Sequence, residues 1–314
     1  MRRAIFLSIS LGILVAASFI GPSGILPPKG FSSPILWEIR APRVILAALC
    51  GAALSASGAA LQAVFHNPLV DPYLLGLSAG GALGCALSVA FFPFIPVPLA
   101  AFVCSYLSAF LTYALARTQG GIGRLALILS GVVVSAFLTA IVSLIKFLLD
   151  PHRLTEVVLW LMGSFALSRW EEVKATAPLI MVGCFFLFLL RYRLNVLSLS
   201  EEEAKVLGVS VGKERALVIG AVALGVGASV AAAGVIGWVG LMVPHLVRLC
   251  LGPENQRLVP YSMIAGAAIL VAADTLARSL TTLDLPVGIL TSLLGVPFFV
   301  YLLRQHRGAT WDDA

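Results

Sequence analysis

Charge is what this sequence has least of. Only 11% of its 314 residues are Asp, Glu, Lys or Arg, less than half of the roughly 25% found in an ordinary globular chain. A soluble fold of this length could not cover its surface with so few, which excludes a soluble enzyme, a disordered chain and a small secreted scaffold. Cys50, Cys85, Cys104, Cys184 and Cys250 lack CxxC spacing and sit in or at the end of apolar runs, so they read as small packing residues. His66, His152, His245 and His306 lie far apart with no HExxH pattern, so neither a catalytic group nor a metal site is expected. A phosphate-binding loop is also missing. Gly212-Lys213 is followed by Glu214, and Gly208 stands one residue too close, so any ATP must be bound by another chain. Basic residues outnumber acidic ones, 21 to 15, but they stand singly between apolar runs. That is the pattern of charged loops on one side of a membrane, and no nucleic-acid face is expected.

Apolar sequence is abundant: 60% of the residues are hydrophobic before the 29 glycines are counted. The composition predicts an all-α, polytopic membrane protein in which residues 1–314 form a single transmembrane domain. Residues 4–28, behind Met1-Arg2-Arg3, form a first span, a cleaved signal being the lesser reading. Residues 44–70 form a second. Residues 72–116 are too long to cross a roughly 30 Å core once, and Pro93, Pro96 and Pro98 mark where they turn back. Residues 125–145 follow, then a re-entrant or interfacial helix over 157–167 near Trp160 and Trp170, and a short span over 175–190. The glycine-rich stretch 216–247 is either one long span or two short ones, and 258–280 and 286–303 complete nine or ten crossings. With ten crossings and a cytoplasmic start, about thirteen Lys and Arg fall inside against seven outside, which places both termini in the cytoplasm of a bacterial or archaeal plasma membrane. Small residues at helical spacing, Gly51, Ser55 and Gly58 in the second span and Gly76, Gly80 and Gly84 in the third, predict close helix contact.

Few ionisable groups fall at membrane depth. Lys146, Asp274 and His245 are the candidates, and Asp274 with Arg278 at i and i+4 reads equally as a structural ion pair or as a functional one. This poverty weakens, without eliminating, the reading of an ion-coupled secondary transporter of a small organic solute. The one strongly polar stretch, 198–215, contains a short helix with Ser200 at its N-cap and Glu203 at its third position, a capping box, and Gly208 at its end. An ordinary solvated connector and a rigid helix offered to a soluble motor both fit it. The loop His66-Asn67-Pro68-Leu69-Val70-Asp71-Pro72, stiffened by two prolines, fits either a tight connector or a hairpin that closes a central path.

Taken together, the motifs resemble the permease family of bacterial ABC importers for iron-siderophore complexes, haem and cobalamin. The resemblance runs through Ile39-Arg40-Ala41-Pro42-Arg43, Gly51-Ala52-Ala53-Leu54, Ser57-Gly58, Gln62, Asn67-Pro68-Leu69 and Gly76. It continues in Trp160-Leu161-Met162-Gly163-Ser164, Glu203-Ala204, Leu207-Gly208 and Gly237-Trp238-Val239-Gly240-Leu241-Met242-Val243-Pro244-His245 with Arg248. Ala273-Asp274 with Arg278, Leu285-Pro286-Val287-Gly288 and Gly295-Val296-Pro297-Phe298-Phe299 close it. The resemblance implies ten transmembrane helices per subunit, with the glycine-rich stretch crossing twice. It implies a homodimer with its path on the two-fold axis, two ATP-binding cassette ATPase subunits carrying ATP and Mg, and a periplasmic or lipoprotein substrate-binding protein. No cofactor is implied on this chain, and the cargo would be a metal chelate, ferric siderophore before cobalamin or haem. By the same resemblance Asn67, Pro68 and Leu69 match a cytoplasmic gate, and Glu201, Glu202, Glu203, Ala204, Leu207 and Gly208 match the coupling helix that docks on the ATPase. Arg40 and Arg278 match outer-face arginines that meet carboxylates of the binding protein. Asp284 and Trp238 stand where the family usually has Glu and Phe, which leaves the class intact and the cargo open.

Overall fold

The computed structural model describes residues 2–21, 24–25, 34–118, 121–280 and 284–305; the expectations placed on residues 26–28 and on His306 fall outside them. The described residues are almost entirely helical. In chain order the helices are α1 (Arg2–Phe19), α2 (Ala41–Phe65), α3 (Leu77–Phe91), α4 (Val97–Leu115), α5 (Arg124–Leu148) and α6 (Pro151–Leu161). They continue with α7 (Trp170–Leu197), α8 (Glu201–Val206), α9 (Val211–Ala233), α10 (Val239–Leu251), α11 (Asn255–Leu280) and α12 (Val287–Gln305). Two antiparallel ladders of two residues per strand, Ile20–Gly21 with Gly24–Ile25 and Arg117–Thr118 with Gly121–Ile122, are the extended pairs among the described residues.

Among the described residues six helices are long and apolar enough to cross a membrane, and four shorter apolar helices, Phe6–Ala17, Leu77–Phe91, Val239–Leu251 and Val287–Tyr301, join them. That agrees with about ten crossings, α6 and α8 being the short extras. Several limits differ from those read in the sequence. The first helix stops at Phe19 and gives way to the ladder. The second ends at Phe65, because His66 adopts the left-handed conformation that closes it. The span expected over 175–190 is the 28-residue α7, whose apolar stretch is extended by polar turns at both ends. Pro96 precedes α4 and Pro98 lies in its first turn, where a missing N–H costs no helical hydrogen bond.

Burial sorts the helices into two layers. The spans of α2, α9 and α11 are 78%, 72% and 67% buried, against 28% for α4 and α5 and 33% for α7, so the first three form the centre and the others a ring with apolar outer faces. An outer surface carrying Phe110, Phe137, Phe147 and Phe185 suits hydrocarbon and not water. Inside, helices meet through small residues. A Cβ on Gly51 would strike the Gly266 carbonyl of α11, and one on Gly58 would strike the Gly240 carbonyl of α10. Lipid offers no hydrophobic drive for helix association, so this close backbone packing is what holds α2, α10 and α11 together. Gly58→Val should therefore abolish the monodisperse, detergent-solubilised protein seen by size exclusion, whereas Gly220→Val, with open space at its Cβ position, should leave it intact.

Candidate functional site

Helices α9 and α10 are divided where Gly234 (φ 72°) and Trp238 (φ 72°) leave the helical region, so the glycine-rich stretch forms two segments. At 1.5 Å per residue the 13 residues of α10 span about 20 Å, short of a roughly 30 Å core, and residues 234–237, which lie in neither helix, join it to α9. Their backbone groups need partners. Tyr73, in a 3-10 turn (Pro72–Leu75) just before α3, satisfies both polar groups of Ile236: its hydroxyl donates to the Ile236 carbonyl and accepts from the Ile236 N–H, each at 3.1 Å. The turn after α6 joins the same knot. Ser164 N–H donates to the Ala233 carbonyl at 2.8 Å, and Gly288 N–H, opening α12, donates to the Gly163 carbonyl at 3.2 Å. Three interrupted stretches of chain thus complete one another. Trp238 holds a backbone conformation costly for a bulky residue and is braced by Gly295 and by Phe299, whose ring centroid is 6.1 Å away.

One end of the bundle carries the expected gate and coupling helix. Asn67 Oδ1 accepts from Leu69 N–H at 2.9 Å and the Asn67 carbonyl from Val70 N–H at 3.3 Å, which folds residues 67–70 into a tight turn with Pro68 exposed at its tip. Gln62 Nε2 reaches both the Val70 and the Leu241 carbonyls at 3.4 Å, and Arg248 donates to Gln62 Oε1 at 2.8 Å, so α2, the turn and α10 share one polar cluster. Nearby, α8 has the capping box read in the sequence. Ser200 N–H and hydroxyl donate to Glu203 Oε2 at 2.9 and 2.8 Å, and Glu203 N–H donates to the Ser200 hydroxyl at 3.2 Å. These donors hold the exposed Glu203 carboxyl below its usual range. Ala204 points inward, while Val206 (87% exposed) and Leu207 (60%) face outward, and Gly208 (φ 75°) turns the chain towards α9. An Arg193 to Glu214 ion pair joins α7 to α9 beside α8.

The opposite end holds a buried ion cluster that sequence reasoning missed. Arg43, in the first turn of α2, binds Asp274 of α11 through Nε (2.9 and 3.1 Å) and Nη2 (2.9 Å), and reaches Asp284 at 3.3 Å. Arg278, which reads equally as a structural partner of Asp274 or as a functional group, lies 3.9 Å from it along α11. It donates instead to the Ala17 carbonyl of α1 at 2.6 Å, as Arg40 does to the Phe19 carbonyl at 2.7 Å. Both arginines, expected as outer-face docking residues, are 3% exposed and lie against the end of α1. Arg40 closes a π-helical turn (Ile35–Arg40) whose bond from Ala41 N–H to the Leu36 carbonyl precedes Pro42, a residue with no N–H to continue the α-helical ladder.

A helical membrane bundle with interrupted helices at its centre, a capped surface helix at one end and a buried charge cluster at the other defines a transport permease. The chain belongs to the FecCD transport family, whose model matches residues 4–305. It is 44% identical over 276 residues to a probable iron chelatin transport system permease protein of Helicobacter pylori, covering 88% of this chain and 84% of that one. It is also 42% identical over 275 residues to the cobalamin import system permease protein of Halobacterium salinarum, covering 87% and 74%. A solved structure described as an inward-facing conformation of a putative metal-chelate type ABC transporter superposes with a TM-score of 0.87 at 37% identity, over 97% of this chain and 99% of that one. The protein is thus a multi-pass membrane permease of the ABC importer class.

Removing one partner of a buried ion pair leaves the other charge uncompensated, at a cost of about 3–5 kcal/mol. Arg43→Ala and Asp274→Ala should each lower the melting temperature of the detergent-solubilised protein sharply, and Arg278→Ala by less. Tyr73→Phe removes only the hydroxyl, so a loss of about 1–3 kcal/mol is expected from the stranded groups of Ile236, with faster hydrogen exchange at Ile236 as the specific sign.

Proposed function

We propose that this chain is the transmembrane subunit of an ATP-driven importer that moves a metal chelate, with ferric siderophore ahead of cobalamin or haem, from a binding protein into the cytoplasm. The observation that carries the reading is the match over nearly the full length of both chains to a metal-chelate type ABC transporter. Two copies form the path on their shared two-fold axis. Two ATP-binding cassette subunits bind ATP and Mg beneath them, and a periplasmic or lipid-anchored protein delivers the chelate from above. The α8 end and both termini face the cytoplasm, in keeping with the excess of basic loops there.

In this reading Glu201, Glu202, Glu203, Ala204, Leu207 and Gly208 dock on the ATPase. The capping box makes α8 rigid, and its exposed Val206 and Leu207 supply apolar contact on a surface otherwise polar. Asn67, Pro68 and Leu69 close the cytoplasmic end of the path. The end carrying Arg40 and Arg278 receives the binding protein, and the two arginines act there by fixing α1 against α2 and α11. Hydrolysis of ATP belongs to the partner, and this chain turns a partner's closure into a gate movement.

In proteoliposomes containing the ATPase subunits and the binding protein, uptake should require ATP and resist ionophores that collapse proton and sodium gradients. Gly208→Trp should abolish both uptake and stimulated ATP hydrolysis while the permease still folds. Uptake by this chain alone under an imposed ion gradient would replace the importer with an ion-coupled secondary carrier.

A further inference from the structure

His66 stands between the two elements just assigned. It occupies the left-handed position that ends α2 (φ 52°, ψ 33°), and Asn67 follows it directly. Glycine is the usual residue at such a position and an L side chain is disfavoured there. The imidazole has a use: its Nε2 lies 2.6 Å from the carbonyl oxygen of Leu197. A carbonyl can only accept, so Nε2 carries the proton and donates it. Leu197 is the last residue of α7, and only Ser198, Leu199 and Ser200 separate it from α8. That end of α7 is kept together as a unit by side-chain hydrogen bonds. The Ser198 hydroxyl donates to the Leu194 carbonyl at 2.8 Å, and Asn255, at the start of α11, donates to Asn195 Oδ1 at 2.8 Å and to the Ser198 hydroxyl at 3.0 Å.

The geometry points to His66 as the positioning residue that passes movement of α8 to the gate at residues 67–69. A displacement of α8 carries the braced end of α7 with it, and the His66 to Leu197 bond pulls on the residue next to Asn67. The link rests on the assignments of gate and docking helix made under Proposed function. It identifies a device within this chain that neither assignment contains.

The test uses the full complex in proteoliposomes, with radiolabelled ferric hydroxamate, haem and cobalamin presented in turn, and reads cargo imported per ATP hydrolysed. His66→Gly removes the bond and suits the left-handed backbone, so misfolding does not account for its effect. It should lower the ratio about two- to tenfold, the range available to a single net hydrogen bond, while stimulated ATP hydrolysis continues. His66→Gln, which keeps an N–H donor at similar reach, should recover most of the ratio. An unchanged ratio in His66→Gly, or import and hydrolysis falling in equal proportion, would overturn the link. Gly208→Trp and the double variant Asn67→Ala, Leu69→Ala are run alongside. If neither alters import, or if none of the three chelates is imported by the wild type, the underlying assignments fall and the link falls with them.

Discussion

Unpaired backbone groups are what this structure is arranged to avoid. In hydrocarbon no water completes a broken helix, so each N–H and C=O released from a helical ladder must be met by protein. Three of the breaks among the described residues, at the turn before α3, after α6 and between α9 and α10, are brought together. Tyr73 serves Ile236, Ser164 serves Ala233, and the first turn of α12 serves Gly163. The arrangement of α3, α6, α9, α10 and α12 follows from that mutual completion.

The same constraint separates the two ends. At one, charges are buried and paired across helices, with Asp274 held by Arg43 and the remaining arginines spent on carbonyls at the end of α1. Such pairing makes a stiff platform. At the other end stand hydrogen bonds between helix termini, one ion pair, an exposed turn at Pro68 and a six-residue helix whose Val206, with Leu207 just beyond it, lies in solvent. Contacts of that kind are individually weak, and an element meant to move is drawn from the weakly held parts of a fold.

Between the ends the packing is close and nearly free of charge. Gly51 and Gly58 let α2 touch α11 and α10 backbone to backbone, which leaves little slack for movement within the centre. Movement at the α8 end would pass through termini and turns more readily than by bending α2, α9 or α11.

The sequence by itself determined the class of fold, the approximate number of crossings, the proline turn between α3 and α4, and the capping box of α8. Each depends on residues near one another in the chain: apolar runs set by bilayer thickness, Pro93 to Pro98 at a turn, and Ser200 with Glu203 three positions on. Motif resemblance added the family, and with it the residues proposed as gate and docking helix. Only the tertiary structure decided that Arg43 binds Asp274 across 231 positions and more closely than Arg278 does, and that Arg40 and Arg278 lie against the end of α1. It alone placed Tyr73 against Ile236 and His66 against Leu197, 163 and 131 residues apart. Periodicity and propensity carry information over a few helical turns, whereas a contact between distant segments is fixed by how whole helices pack, and neither partner's local sequence encodes the other.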